Sequence, residues 1–144
     1  MVQNHFSNVL FRKLLFMDVD NMDINSLKSQ FSKYKKDLLD LNKYMYENPE
    51  LGYQETKSVN KITKLIKKHT ADAKFKMLTD IPTAFIAEYS NGGPVIGILG
   101  EYDALPGVMQ TSSPFKETRA DRIAGHACGH HMFGAASAWA AVTI

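Results

Sequence analysis

The sequence has one cysteine, little excess charge and no long apolar run. A single cysteine in 144 residues excludes an internal disulfide framework and is typical of a reducing compartment. No apolar stretch reaches the ~20 residues that a membrane-spanning helix needs. A formal net charge of +2 is too small to indicate nucleic-acid binding. We therefore predict a cytoplasmic protein with no nucleic-acid partner and no membrane partner.

Two common catalytic signatures are also missing. No Gly-x-Ser-x-Gly elbow occurs, so Ser112 and Ser113 lack the setting of a serine nucleophile. No phosphate-binding glycine loop occurs either, because Gly92-Gly93 fits a hairpin turn better. These absences leave metal chemistry and thiol chemistry as the enzyme classes to consider.

Composition predicts one globular domain preceded by a short extension. Hydrophobic residues make up 44% of the chain and charged residues 22%, which is typical of a folded domain with a real core. Residues 1–22 form an N-terminal extension that frays or packs locally. Because residues 1–17 contain no acidic side chain, a mitochondrial presequence is the alternative for this segment. The domain is expected to span residues 23–144.

Apolar periodicity predicts three helices. The first begins near Asp23 or Asn25, either of which can cap it, and ends before Asn48-Pro49. The second follows Gln54-Glu55-Thr56, and the third follows His131 with a small-residue face around Trp139. The apolar positions of the first two helices are Leu27, Phe31, Tyr34, Leu38, Leu41, Met45, Val59, Ile62, Leu65 and Ile66.

Three short strands are predicted between the second and third helices. They are Phe75–Leu78, Thr83–Tyr89 and Pro94–Gly100, with a turn at Ser90–Gly93. The last two runs predict a hairpin, and the unbroken apolar run 94–100 is typical of an interior strand covered on both faces. Leu105–Ala120 is expected to be a loop that crosses the site. The fold class is therefore α/β, with helices packed on a sheet.

The stretch Gly125–His131 concentrates the cysteine and three of the five histidines. Thiolate and imidazole are ligands that zinc prefers, so Cys128 and His130 are the candidate metal ligands. They converge only if the backbone between them is non-helical, which Gly125 and Gly129 permit. His131 points elsewhere and is a substrate-facing or supporting candidate, as is His126.

Glu101 and Asp103 form a second candidate group. Carboxylates at alternate positions leaving a strand point to the same side of the sheet. Asp103 could hold a metal-bound imidazole in position, and Glu101 could bind the metal directly. The alternative for both is a strand-end carboxylate in water.

Three blocks together resemble the M20 family of metallopeptidases and amidohydrolases. They are Asn48–Glu55 (NPELGYQE), Gly100–Gly107 (GEYDALPG) and Gly125–Gly134 (GHACGHHMFG). The resemblance runs from about residue 25 to residue 144, in the branch that holds p-aminobenzoyl-glutamate hydrolase and the N-acyl-amino-acid amidohydrolases. Residues 1–22 do not resemble the family.

The resemblance implies the N-terminal part of a zinc-peptidase-like catalytic domain with a mixed central sheet, interrupted in the whole protein by a dimerising lid domain. It also implies a centre of one or two metal ions, Zn²⁺ or Mn²⁺, that hydrolyses an amide bond in an N-acyl amino acid or dipeptide-like substrate. By motif position, Cys128 and His130 would be ligands and Asp103 would orient the site. Glu101 stands where many relatives have a histidine, and His131 where close relatives have aspartate or asparagine.

Family members are much longer, and their general-base glutamate and other ligands lie downstream. The chain is therefore expected to be a fragment, inactive alone, of an enzyme that is a homodimer when whole. A non-catalytic metal-binding or interaction remnant is the second hypothesis, and it predicts an exposed sheet edge and an apolar patch. A thiol hydrolase using Cys128 is the third, and its activity would survive metal chelation.

Overall fold

The structure, a computed structural model, describes residues 9–14, 23–90 and 95–144. Its elements in chain order are β1 (Val9–Leu14), α1 (Ile24–Glu47), α2 (Thr56–His69), β2 (Lys74–Met77), β3 (Phe85–Ser90), β4 (Val95–Gly100), β5 (Leu105–Pro106), β6 (Ala124–Gly125) and α3 (His130–Thr143). Helices packed on a mixed sheet confirm the predicted α/β class. None of the described helices combines the length and apolar character needed to span a bilayer.

The three helices form where the apolar patterns predicted them. Asp23 caps α1 by accepting a hydrogen bond from the backbone N–H of Asn25 at 3.1 Å. The core combines Leu41 and Met45 of α1 with the predicted apolar face of α2 and with Trp139 of α3. This packing fixes α3, and with it the residues at its N-terminus, against the rest of the domain.

The sheet differs from the prediction in its strand order, which is β2-β3-β1-β4. β1 pairs in parallel with β3 and antiparallel with β4, so the predicted hairpin between β3 and β4 is wrong. The physical reason is that β1 takes the backbone hydrogen bonds that a direct β3–β4 pair would form. The predicted turn at Ser90–Gly93 lies mostly outside the described residues.

The expectation that β4 is an interior strand covered on both faces is also wrong for the described part of the chain. There β4 has a strand partner on one side only, and Val95, Ile96 and Leu99 are 55%, 40% and 55% exposed. An apolar run favours a strand, but it does not say which segment will cover it.

The N-terminal segment contributes to the sheet instead of remaining separate from it, since β1 lies between two strands that follow α2. The rest of residues 1–22, including the segment considered as a presequence, lies outside the described residues. The domain boundary after residue 22 stays a prediction. The predicted loop 105–120 holds only the two-residue strand β5, which pairs with β6 just before the histidine-rich stretch.

Candidate metal centre

The end of β4 and the start of α3 meet at two glycines. A Cβ on Gly100 would lie 2.8 Å from Cβ of Ser137, and a Cβ on Gly134 would lie 2.7 Å from the backbone oxygen of Glu101. Ser137 also donates a hydrogen bond to the carbonyl of Leu99 at 2.6 Å. This close approach, which the small-residue face of α3 permits, brings the first turn of α3 beside the residues that follow β4.

His130 lies between two carboxylates at this junction. Its Nδ1 is 2.7 Å from Oδ1 of Asp103, and its Nε2 is 3.0 Å from Oε2 of Glu101. All three side chains are largely buried, with 22%, 13% and 18% of their surfaces exposed for His130, Asp103 and Glu101. The two carboxylates reach one imidazole because alternate residues leaving a strand face the same side.

This donor set fits a divalent cation. When Nδ1 of His130 donates its proton to Asp103, Nε2 presents a lone pair to the Glu101 carboxylate oxygen. Two lone pairs facing each other at 3.0 Å need a positive charge between or beside them, either a proton or a metal ion. Imidazole nitrogen and carboxylate oxygen are ligands for zinc and manganese alike. In the described part of the chain, the three donors that lie within 4.8 Å of one another belong to Glu101, Asp103 and His130.

Cys128 lies outside this group of three. It is exposed on the turn before Gly129, which begins α3 with a left-handed φ of 74°. The non-helical backbone that convergence of Cys128 and His130 requires is therefore present. The thiol is not among the grouped donors, and its role as a ligand stays a prediction.

His126 and His131 stack on each other instead of joining the carboxylates. Their ring centroids are 4.9 Å apart, and His131 also lies 5.2 Å from the ring of Tyr46 on α1. Nε2 of His126 is 3.1 Å from the carbonyl of Met45, while Nδ1 of each histidine finds no hydrogen-bond partner among the described residues. The structure thus places both rings against the end of α1, outside the group of three.

Burial keeps both of these rings neutral. It lowers the pKa of His126 from 6.5 to about 4, and the nearby His131 adds to the effect because two cationic rings would repel. Burial also lowers the pKa of His131. A cleft of about 330 Å³ borders His126 and the far side of this pair. Neutral rings could act there as hydrogen-bonding groups beside the site.

Comparisons with known proteins agree with this geometry, although no family model matches the chain. One of the two subunits of p-aminobenzoyl-glutamate hydrolase from Escherichia coli is 32% identical over 108 residues, which are 73% of this chain and 22% of the relative. N-acetylcysteine deacetylase of Bacillus subtilis is 35% identical over 100 residues, or 65% of this chain and 24% of the relative. The matched region belongs to the M20 amidohydrolase family. The predicted resemblance is therefore confirmed.

A third M20 relative shows the same proportions. N-acetyldiaminopimelate deacetylase of Lactobacillus helveticus is 30% identical over 101 residues, which are 68% of this chain and 26% of the relative. The chain spans about a quarter of the length of the curated M20 relatives it matches.

Sequence reasoning missed a set of buried polar residues behind the carboxylates. Glu55, Thr83 and Tyr102 are each no more than 2% exposed, and hydrogen bonds join them in a row. The available signals were the NPELGYQE block, which resembles the family without an evident chemical role, and the tyrosine between the two candidate carboxylates. Neither signal indicates a contact across 28 or 19 residues of sequence.

Proposed function

We propose that this chain carries part of the metal centre of an M20 amidohydrolase that cleaves the amide bond of N-acyl amino acids or dipeptide-like substrates. The observation that carries the proposal is His130 held between Glu101 and Asp103, in a chain whose relatives hydrolyse such bonds. Amide-bond hydrolysis by the relatives supports the reaction class. The metal and the substrate for this chain are the proposed parts.

His130 and Glu101 would hold the cation through Nε2 and a carboxylate oxygen, with Cys128 as a further predicted ligand. A bound Zn²⁺ or Mn²⁺ would act as a Lewis acid on the amide carbonyl and supply an activated water. Asp103 accepts the Nδ1 proton of His130, which fixes the tautomer that leaves Nε2 free and makes it a stronger donor. Asp103 is thus proposed as the residue that orients the site.

The proposed substrate class follows from the relatives. Their names describe glutamate, cysteine and diaminopimelate carrying an acyl group on nitrogen. A small N-acyl amino acid is therefore the proposed partner. Dimerisation of the whole enzyme and a cytoplasmic location remain predictions, as do supporting or substrate-facing roles for His126 and His131.

Hydrolysis by this chain alone is not expected. The general base and further ligands of the family are expected in the part of the relatives that the chain does not match, and a catalytic zinc normally has three protein ligands. We therefore expect weak metal binding without turnover.

A non-catalytic metal-binding or interaction remnant is the second candidate function. The exposed apolar residues Val95, Ile96 and Leu99 on β4 favour it, because an open apolar edge strand is a surface that pairs with another chain. This candidate predicts the same metal binding as the first. It differs in predicting that no complementary M20 segment restores activity.

The test combines calorimetric titration with Zn²⁺ or Mn²⁺ and an assay for glutamate released from p-aminobenzoyl-glutamate. Binding to the wild-type chain that is lost in His130→Gln, and retained in the control His69→Gln, supports the centre. Absence of wild-type binding would contradict it. Metal-dependent release of glutamate by the chain alone would overturn the expectation of inactivity, and release that survives chelation would favour the Cys128 thiol hydrolase.

A further inference from the structure

The NPELGYQE block lies directly beside the two site carboxylates. The backbone oxygen of Glu50 accepts a hydrogen bond from the N–H of Ala104 at 2.7 Å, and Leu51 forms a parallel bridge with the same residue. Ala104 is 3% exposed and follows Asp103 directly. One end of the carboxylate segment is therefore pinned by backbone from the block before α2.

The carboxylate of Glu50 secures the block itself. It accepts hydrogen bonds from the backbone N–H groups of Lys57 at 3.0 Å and Ser58 at 2.8 Å, and from the Ser58 hydroxyl at 2.8 Å. These N–H groups belong to the first turn of α2, where helical donors lack intrahelical partners and negative charge is favoured. The block is thereby fixed to a helix that is itself part of the core.

Glu55 extends this arrangement into the interior. Its side chain is fully buried, and Oε2 accepts a hydrogen bond from the Thr83 hydroxyl at 2.6 Å. Burying a carboxyl group is costly unless hydrogen bonds compensate it, so its position here is tightly specified. Thr83 lies immediately before the residues that lead into β3.

Tyr102 completes the connection to the site. Its hydroxyl donates to the backbone carbonyl of Thr83, and the side chain is fully buried. Burial, reinforced by the nearby carboxylates of Glu55 and Asp103, raises the pKa of Tyr102, so the phenol keeps its proton and remains a donor. Because alternate side chains face opposite sides, an anchored Tyr102 sets where Glu101 and Asp103 emerge on the other side.

We propose that Glu55, Thr83 and Tyr102 form a positioning relay that holds Glu101 and Asp103 against His130. The relay rests on the proposed metal centre and assigns a role to the NPELGYQE block. Its members touch neither metal nor substrate. They act by fixing the backbone on which the carboxylates are mounted, and the loss of such supporting contacts typically weakens metal affinity about 10–100-fold.

The experiment compares Thr83→Val with Thr83→Ser. Valine keeps the shape and removes the hydroxyl, while serine keeps the hydroxyl and should rescue the relay. Thr63→Val is the matched control, since that hydroxyl donates only within α2, to the carbonyls of Val59 and Asn60. We expect Thr83→Val to weaken Mn²⁺ or Zn²⁺ affinity about 10–100-fold, while Thr83→Ser and Thr63→Val stay within about threefold of wild type.

Hydrogen exchange on the metal-free protein gives a second readout. The Ala104 amide is protected by Glu50, so its exchange reports local opening of the carboxylate segment. Exchange should accelerate at residues 102–104 in Thr83→Val and stay near wild type in Thr83→Ser. If Thr83→Val does not fold, Tyr102→Phe removes the other hydroxyl while keeping the ring, and the same acceleration is expected.

The two readouts separate the relay from the metal centre. Failure of the wild-type chain to bind metal overturns the proposed centre, and the exchange comparison then decides the relay by itself. Equal exchange and equal metal affinity in wild type, Thr83→Val and Tyr102→Phe overturn the relay while leaving the centre in place. Equal losses in Thr83→Val and Thr63→Val would also overturn it, because they would indicate general destabilisation.

Discussion

Replacing Gly134 with alanine would place a methyl group where the end of β4 already lies. The new Cβ would be 2.7 Å from the backbone oxygen of Glu101 and 3.1 Å from Cβ of Tyr102. Real Cβ atoms essentially never approach a neighbour closer than 3.0 Å. Because the nearest atom belongs to the backbone, α3 and the strand end would have to move apart by at least about 0.3 Å.

The stability change is the balance of two opposing effects. Forcing a methyl group into a packed interface costs typically 1–3 kcal/mol, about 2 in the middle of that range. Alanine in place of glycine within a helix returns about 1 kcal/mol. We therefore expect a net destabilisation of about 1 kcal/mol, or a fall in melting temperature of about 2–4 °C.

The assay is urea or thermal unfolding followed by tryptophan fluorescence. Trp139 is the only tryptophan, lies on α3 and is 2% exposed, so it reports directly on this packing. Gly52→Ala is the matched control, because nothing lies within 4 Å of its added Cβ, and its effect should stay within about 0.5 kcal/mol. A Gly134→Ala protein about 1 kcal/mol more stable than wild type, as expected for an unhindered helix, would show that α3 and the strand end are not in tight contact.

Three further predictions concern separate parts of the chain. Because burial lowers the pKa of His126 from 6.5 to about 4, the unfolded chain takes up this proton first as pH falls. The difference in unfolding free energy between wild type and His126→Gln should therefore decrease by about 1–2 kcal/mol from pH 7 to pH 4, and a constant difference would contradict it. Exposed Cys128 should react readily with a thiol reagent, and bound Zn²⁺ should slow the reaction; an unchanged rate in metal-bound protein would remove it from the ligands. Asp37→Asn removes contacts to Lys68 at 2.6 Å and His69 at 2.8 Å, and in urea unfolding should cost at most about 1 kcal/mol, less at high salt.

The sequence predicted the helices better than the sheet. Apolar stripes at helical spacing locate α1 and α2 because each buried face depends on residues three or four positions apart. Strand neighbours depend on distant segments, and Arg12 and Lys13 interrupt the apolar residues of β1. No local pattern therefore indicated that β1 would separate β3 from β4.

The site divides in the same way. Alternate spacing at a strand end was enough to expect Glu101 and Asp103 on one side, and the structure brings both to His130. The contacts behind them join residues 19 and 28 positions apart, which spacing alone does not indicate. Cys128 and His130 are equivalent ligand candidates in the sequence, but one turn of backbone separates an exposed thiol from a largely buried imidazole.

Anomalous X-ray diffraction from crystals grown with Zn²⁺ tests the proposed metal centre most directly. We expect a zinc peak about 2.0–2.2 Å from both Nε2 of His130 and a carboxylate oxygen of Glu101, with Asp103 still bonded to Nδ1. The same map shows whether Cys128 turns in to join them. A zinc ion bound at the His126–His131 pair instead, or no ion at His130 in saturating zinc, would contradict the proposed centre.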